Sequence, residues 1–203
     1  MITIIDYGCG NINAFVNVFK RLNIPSKIVR SASDLENCEK IILPGVGAFD
    51  HVMSQFNSSG MREQVEKKVL TENIPVLGIC AGMQILANGS EEGTEAGLGW
   101  IKGHVKKFDV TGIHYKTKLP HMGWNEITHN ENPLFKEIEP ASRFYFVHSY
   151  YYECYSADNS IAQTEYGGTF TSAVNRDNIY GVQFHPEKSH QNGHQLLKNF
   201  SIL

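Results

Sequence analysis

Apolar positions in the first eighty residues alternate between two periods. Residues 2–5 form a short β-branched run, and residues 11–22 then place Ile12, Phe15, Phe19 and Leu22 on one helical face. Runs at 27–29, 40–43 and 76–79 read as further strands, a helical stretch covers 61–70, and another helix begins near Ala81. Strands alternating with helices in this β-α-β-α-β-α-β order predict the α/β class, with an open, mostly parallel sheet covered by helices on both faces. The second half changes character. Segments at 102–108, 144–147, 161–164, 169–174 and 179–184 read as strands, linked by turn-forming stretches such as Tyr166-Gly167-Gly168 and Asp177-Asn178. Short links of that kind predict antiparallel strands in the C-terminal half. Residues 196–200 fit a closing helix. There is no internal repeat, low-complexity tract or linker-like stretch, so residues 1–203 are read as a single domain.

Composition then narrows the class. The 18 Lys and Arg nearly balance 21 Asp and Glu, so no basic surplus exists to attract a phosphate backbone, and nucleic acid is not expected as a partner. The chain is 41% hydrophobic with a mean hydropathy of -0.28, too apolar to be disordered and without the long apolar run of a membrane span. Met1 leads straight into ITIID, with no basic stretch or small-residue cleavage site, which reads as a cytoplasmic protein. In that setting Cys9, Cys38, Cys80 and Cys154 are expected as reduced thiols, and no C-x-x-C pair suggests a metal or redox site. His185, His190 and His194 are spaced by five and four, which is no standard zinc pattern, so no metal or cofactor is expected.

One cysteine has the surroundings of a nucleophile. The strand at 76–79 runs into Gly78-Ile79-Cys80-Ala81-Gly82, where glycines two positions either side permit a sharp strand-to-helix turn that lifts the central side chain clear. A thiol at a helix N-terminus is also favoured as thiolate. A structural cysteine in a glycine-rich turn would give the same string. A nucleophile needs a base and a group to orient it. Gly181-Val182-Gln183-Phe184-His185-Pro186-Glu187 ends an apolar strand at His185, with Glu187 on the same face of an extended chain about 6.6 Å further on. Pro186 restrains His185 to extended geometry. In isolation, this pair describes equally well a strand-end histidine beside a surface glutamate. The loop Pro44-Gly45-Val46-Gly47 can turn backbone N–H groups toward an oxyanion, together with the N–H of Ala81. It lacks the Gly-Lys-Ser/Thr of a phosphate loop. Ser90-Glu91-Glu92-Gly93 is either a solvated acidic loop or a place for a cationic amine.

These segments, together with DYGCGN at 6–11, GICAGMQ at 78–84, GLGW at 97–100, PHMGWN at 120–125, YFVHSYY at 145–151 and GVQFHPEKS at 181–189, resemble the class I glutamine amidotransferases. Within that family the chain looks like the glutaminases of histidine biosynthesis, PHMGWN being the most discriminating match. Ala81 departs from the Leu usual there, a change that leaves a backbone N–H in place. The resemblance implies a Cys80-His185-Glu187 triad, an oxyanion hole at Val46, Gly47 and Ala81, and L-glutamine contacts at Gly47, Gln84, Glu92, His148, Ser149 and Tyr150. It implies a glutamyl thioester and ammonia passed to a (β/α)8-barrel cyclase subunit in a heterodimer. The oxyanion peptide near Val46 would turn only when the partner is engaged. Met122 and Trp124 are the candidate partner surface, unless they are ordinary core residues. Two alternatives remain open: a paralogue making ammonia for an amidine on a bacterial surface sugar, and a catalytically silent regulatory module on the same fold.

Overall fold

The structure, a computed structural model, describes residues 1–114 and 117–203. Five parallel strands, four from the first eighty residues and one from near the C-terminus, run in the order β2-β1-β3-β4-β12: β1 (Ile2–Ile5), β2 (Ser26–Val29), β3 (Lys40–Gly45), β4 (Val76–Cys80) and β12 (Ile179–Val182). Alternation along each strand sorts side chains to the two faces. Ile2, Ile4, Ile42, Leu77 and Ile79 join one apolar layer with Phe15 and Phe19 of α1 (Ile12–Arg21) and Leu196, Leu197 and Phe200 of α5 (His190–Ile202). Ile5, Ile41, Leu43 and Val76 join the other, with Phe49, Val52, Met53 and Phe56 of α2 (Phe49–Ser58) and Val65 of α3 (Arg62–Glu66). The central strands, buried on both faces, are therefore mainly apolar, as the parallel-sheet expectation requires.

Beyond β12 the sheet continues antiparallel through β11 (Thr169–Arg176), β10 (Ser160–Glu165) and the short β7 (Thr128–His129), while β9 (Tyr150–Cys154) pairs with β11 and with β5 (Gly103–Lys107). A separate two-stranded sheet pairs β6 (His121–Glu126) antiparallel with β8 (Arg143–His148). Gly167 and Gly168 both take positive φ in the turn between β10 and β11.

Three expectations are corrected. β2 and β3 are joined by a 3₁₀ turn (Ala32–Leu35) rather than a helix, so strict alternation fails, and a helix that the sequence reading does not include, α2, follows the glycine-rich loop. The sequence reading does not include strands β6, β7 and β9. The helix after Cys80 is a single turn, α4 (Ala81–Gln84). It stops because the carbonyls of Ile85, Leu86 and Ala87, which a longer helix would use, accept instead from the amides of Leu98, Ile101 and Gly99.

Candidate active site

The parallel strands end on one side, the usual ligand crevice of an open α/β sheet. Cys80 terminates β4, Gly45 terminates the neighbouring β3, and the chain leaving β12 on the other side carries His185. Their convergence makes a cavity of about 220 Å³ lined by Val46, Gly47, Cys80, Ala81, Gln84, Glu92, Val147, His148, Ser149, Tyr150 and His185.

Cys80 sits in a strained conformation, φ 55° and ψ -116°, rare for a residue with a Cβ. The flanking glycines serve a different purpose from the one expected. Neither Gly78 nor Gly82 has positive φ; they permit backbone-to-backbone packing. A Cβ on Gly82 would lie 2.0 Å from the Leu43 carbonyl oxygen, one on Gly78 2.5 Å from the Gly82 oxygen, and one on Gly45 2.2 Å from the Gly82 nitrogen. The strain falls on Cys80 itself.

Glu187 also arrives by another route. It lies in a 3₁₀ turn (Pro186–Lys188), not on an extended strand, and the turn brings its Oε1 to 2.8 Å from His185 Nδ1. Both side chains are buried. His185 keeps the extended geometry that the following proline imposes, φ -100° and ψ 94°. Its Nε2 has no hydrogen-bond partner among the described residues. Burial works against an imidazolium here, but the Cys80 sulfur and the Glu187 carboxylate outweigh it and carry the pKa up to about 10. By contrast, burial raises the thiol pKa of Cys9, Cys38 and Cys154, the last to about 11, which disfavours their thiolates.

Two groups touching the sulfur were not singled out from the sequence. Gln183 Nε2 lies 3.8 Å from Cys80 Sγ, and the Val147 carbonyl lies 4.0 Å from it. Gln183 Oε1 accepts from Gln84 Nε2 at 2.9 Å, and Gln84 also donates to the Tyr150 carbonyl at 3.1 Å. A signal for Gln183 existed: it is the polar residue two positions before His185, on the same face of an apolar segment.

The acidic loop divides its labour. Glu91 turns outward to Lys106 Nζ and the Lys107 amide. Glu92 lines the cavity and accepts from the Phe49 amide at 2.8 Å, at the first turn of α2. Asp50 accepts the amides of Thr94 and Glu95, and a Cβ on Gly93 would strike it, so helix and loop are tied together. In the oxyanion loop Gly47 takes φ 111° and Val46 is 44% exposed, at the cavity mouth. His148 reaches the wall with both ring nitrogens engaged, one by Tyr150 and one by His121.

Met122 and Trp124 are not core residues: they are 62% and 37% exposed on β6. They line a groove of about 610 Å³ with Pro120, Asn125, Arg143 and Tyr166. His190 is stacked on Trp124, 5.0 Å between ring centroids and 3° between planes. Among the described residues, no helix is long and apolar enough to cross a membrane.

Comparison with known proteins agrees with this geometry. The family model "Glutamine amidotransferase class-I" matches residues 3–203. The chain is 54% identical, over the whole of both chains, to "Imidazole glycerol phosphate synthase subunit HisH" of Leptospira interrogans. It is 54% identical to the protein of that name in Bdellovibrio bacteriovorus over 99% of each chain, and 47% identical to "subunit HisH 2" of Pseudomonas aeruginosa over 98% of each. A putative GMP synthase subunit from Thermoplasma acidophilum shares the fold, with a TM-score of 0.73 at 22% identity, covering 98% of this chain and 91% of that one. PurLQS of Thermotoga maritima superimposes equally well, at 0.73 and 17% identity, over 98% and 96%. A full-length family match and relatives at half identity along their entire length leave one conclusion: the chain belongs to the class I glutamine amidotransferases.

Proposed function

We propose that this chain is the glutaminase subunit of an imidazole glycerol phosphate synthase, a cytoplasmic enzyme of histidine biosynthesis that works as a heterodimer with a (β/α)8-barrel cyclase. The observation that carries the reading is that Cys80 and His185 line one amino-acid-sized cavity while Glu187 holds the far nitrogen of His185. Full-length relatives named as subunits of that synthase support the choice of pathway. Two apolar layers sharing one sheet support a single domain over residues 1–203.

In this mechanism the imidazolium at His185 favours the Cys80 thiolate, which attacks the side-chain amide carbon of L-glutamine. Backbone N–H groups of Val46 or Gly47 and of Ala81 hold the resulting oxyanion. His185 gives its proton to the departing ammonia and then takes one from the water that hydrolyses the glutamyl thioester to glutamate. Glu187 holds the His185 tautomer, as the orienting carboxylate of a triad does. Glu92 meets the glutamine ammonium, while Gly47, Gln84, His148, Ser149 and Tyr150 shape the rest of the site. Ammonia passes to the cyclase, which adds it to a phosphorylated aminoimidazole-carboxamide ribotide precursor, giving imidazole glycerol phosphate and the carboxamide ribotide. The exposed Met122 and Trp124 supply the partner surface.

The test is reconstitution. The isolated chain is expected to turn over glutamine barely at all, and addition of the cyclase with its ribotide substrate to raise the rate by several orders of magnitude, because a missing oxyanion donor costs about 10²–10³. Cys80→Ala should abolish glutamine-dependent synthesis and leave ammonia-dependent synthesis intact. High turnover by the isolated chain contradicts gating; loss of both activities in the variant assigns Cys80 a structural role.

A further inference from the structure

At the cavity wall two buried histidines meet ring to ring, His148 lining the cavity and His121 behind it. His121 and His148 lie opposite each other in the β6–β8 ladder, with His121 Nδ1 2.9 Å from His148 Nε2. The groups at either end dictate where the protons sit. His148 Nδ1 lies 2.7 Å from the Tyr150 carbonyl oxygen, which can only accept, so Nδ1 carries a proton. A neutral His148 then presents a lone pair at Nε2, and His121 Nδ1 must donate to it. His121 Nε2 accepts in turn from Asn125 Nδ2 at 3.2 Å. Asn125 is itself fixed, since its Nδ2 also donates to the Glu165 carbonyl at 2.9 Å and its Oδ1 accepts the Glu126 amide at 2.8 Å. One proton arrangement satisfies every contact. A proton added to either ring would set N–H against N–H, and burial opposes it as well, pushing the pKa of His121 down to about 4 and that of His148 to about 3. Aromatic rings of Phe108, Phe146, Tyr166 and Phe170 surround the pair.

The inner end of this chain is the substrate wall. The Tyr150 carbonyl that His148 holds is the same oxygen that accepts from Gln84 Nε2, and Gln84 continues to Gln183 and so to the Cys80 sulfur. The outer end, Asn125, lines the groove that holds Met122 and Trp124. Resting on the glutaminase reading above, we propose that His121 and Asn125 are positioning residues of the glutamine site, which touch no substrate and act through His148 to hold the Tyr150 carbonyl and, with it, Gln84. The physical basis is a shared acceptor. If His148 loses its fixed tautomer, the Tyr150 oxygen must find another donor, and the peptide that carries it turns within the cavity wall.

The experiment uses the chain in complex with its cognate cyclase and separates KM from kcat for glutamine hydrolysis. His121→Phe keeps a ring in the stack and removes the donor; His121→Asn restores an N–H at the Nδ1 position. The Phe variant is expected to raise KM about tenfold, the scale of one hydrogen bond, with kcat within about threefold, and the Asn variant to recover most of the loss. An unchanged KM in His121→Phe overturns the proposal, and so does an equal defect in both variants, which marks a purely structural role. In the wild-type complex at neutral pH, ¹⁵N spectra should show His148 protonated at Nδ1 and bare at Nε2; the opposite tautomer overturns the proposal without any variant having to fold. Failure of the wild-type complex to hydrolyse glutamine would instead remove the glutaminase reading.

Discussion

Glu187 shows how a carboxylate, acting beside a second group, shapes the character of its neighbour. Its Oε1 accepts from His185 Nδ1 in a site where neither side chain meets solvent, and with the Cys80 sulfur, the larger influence, it holds the imidazolium well above its ordinary pKa. The sign has a consequence for rate measurements. A histidine whose pKa is raised to about 10 stays protonated through the neutral range, so alkylation of Cys80 by a glutamine-mimicking electrophile should show no step near pH 6.5. Glu187→Gln removes the charge while keeping the shape. It is expected to lower the His185 pKa, bring that step back toward neutrality, and reduce kcat of the complex by about 10²–10⁴-fold with little change in KM. A pH profile and kcat equal to wild type would show that the carboxylate does not govern the base. Both residues are visible in the sequence because they are two positions apart, whereas the 3₁₀ turn that joins them is a property of Pro186 at its first position.

Among elements, the β4-to-α4 turn concentrates the packing constraints. It presses against β3 backbone to backbone, and Cys80 takes positive φ at its centre. Gly82→Ala places a methyl group 2.0 Å from the Leu43 oxygen, where no flexible side chain can yield. Such overpacking costs about 1–3 kcal/mol, and urea unfolding should show a loss in the upper part of that range. Glutamine turnover should fall further than stability implies, since the same shift moves Cys80 relative to His185; a variant with wild-type stability and turnover would refute this account of the turn. The helix expected from Ala81 forms but stops after one turn, for a tertiary reason. Residues 81–87 are buried on all sides, and the returning segment 98–101 takes their carbonyls. Helix α2, in contrast, carries a local signal: Phe49, Val52, Met53 and Phe56 follow helical spacing and all are buried, directly after the glycine-rich loop.

For the whole molecule, the buried histidine pair links fold to pH. His121 and His148 have folded pKa values of about 4 and about 3, against about 6.5 in an unfolded chain. Between these values the unfolded state binds more protons, so the pair's contribution to stability is complete above about pH 6.5 and is lost as pH falls toward 4. Urea midpoints should therefore drop between pH 7 and pH 4.5, and His121→Phe should drop less over the same interval. Equal slopes in the two proteins would show that this pair does not contribute to acid unfolding.

What the sequence determined by itself was local. β-Branched runs and apolar alternation announced the parallel half of the sheet and the antiparallel half that follows, because strand character depends on neighbours a few residues away. Cys80 between its glycines and His185 beside Glu187 were likewise marked by short spacings. Only the tertiary structure decided what meets what. Placing β4 between β3 and β12 brings Cys80, the Gly47 loop and His185 to one cavity, and the β6–β8 pairing sets His121 against His148. Strand order and register are settled by the burial of both faces at once, a sum over distant residues that no local pattern contains.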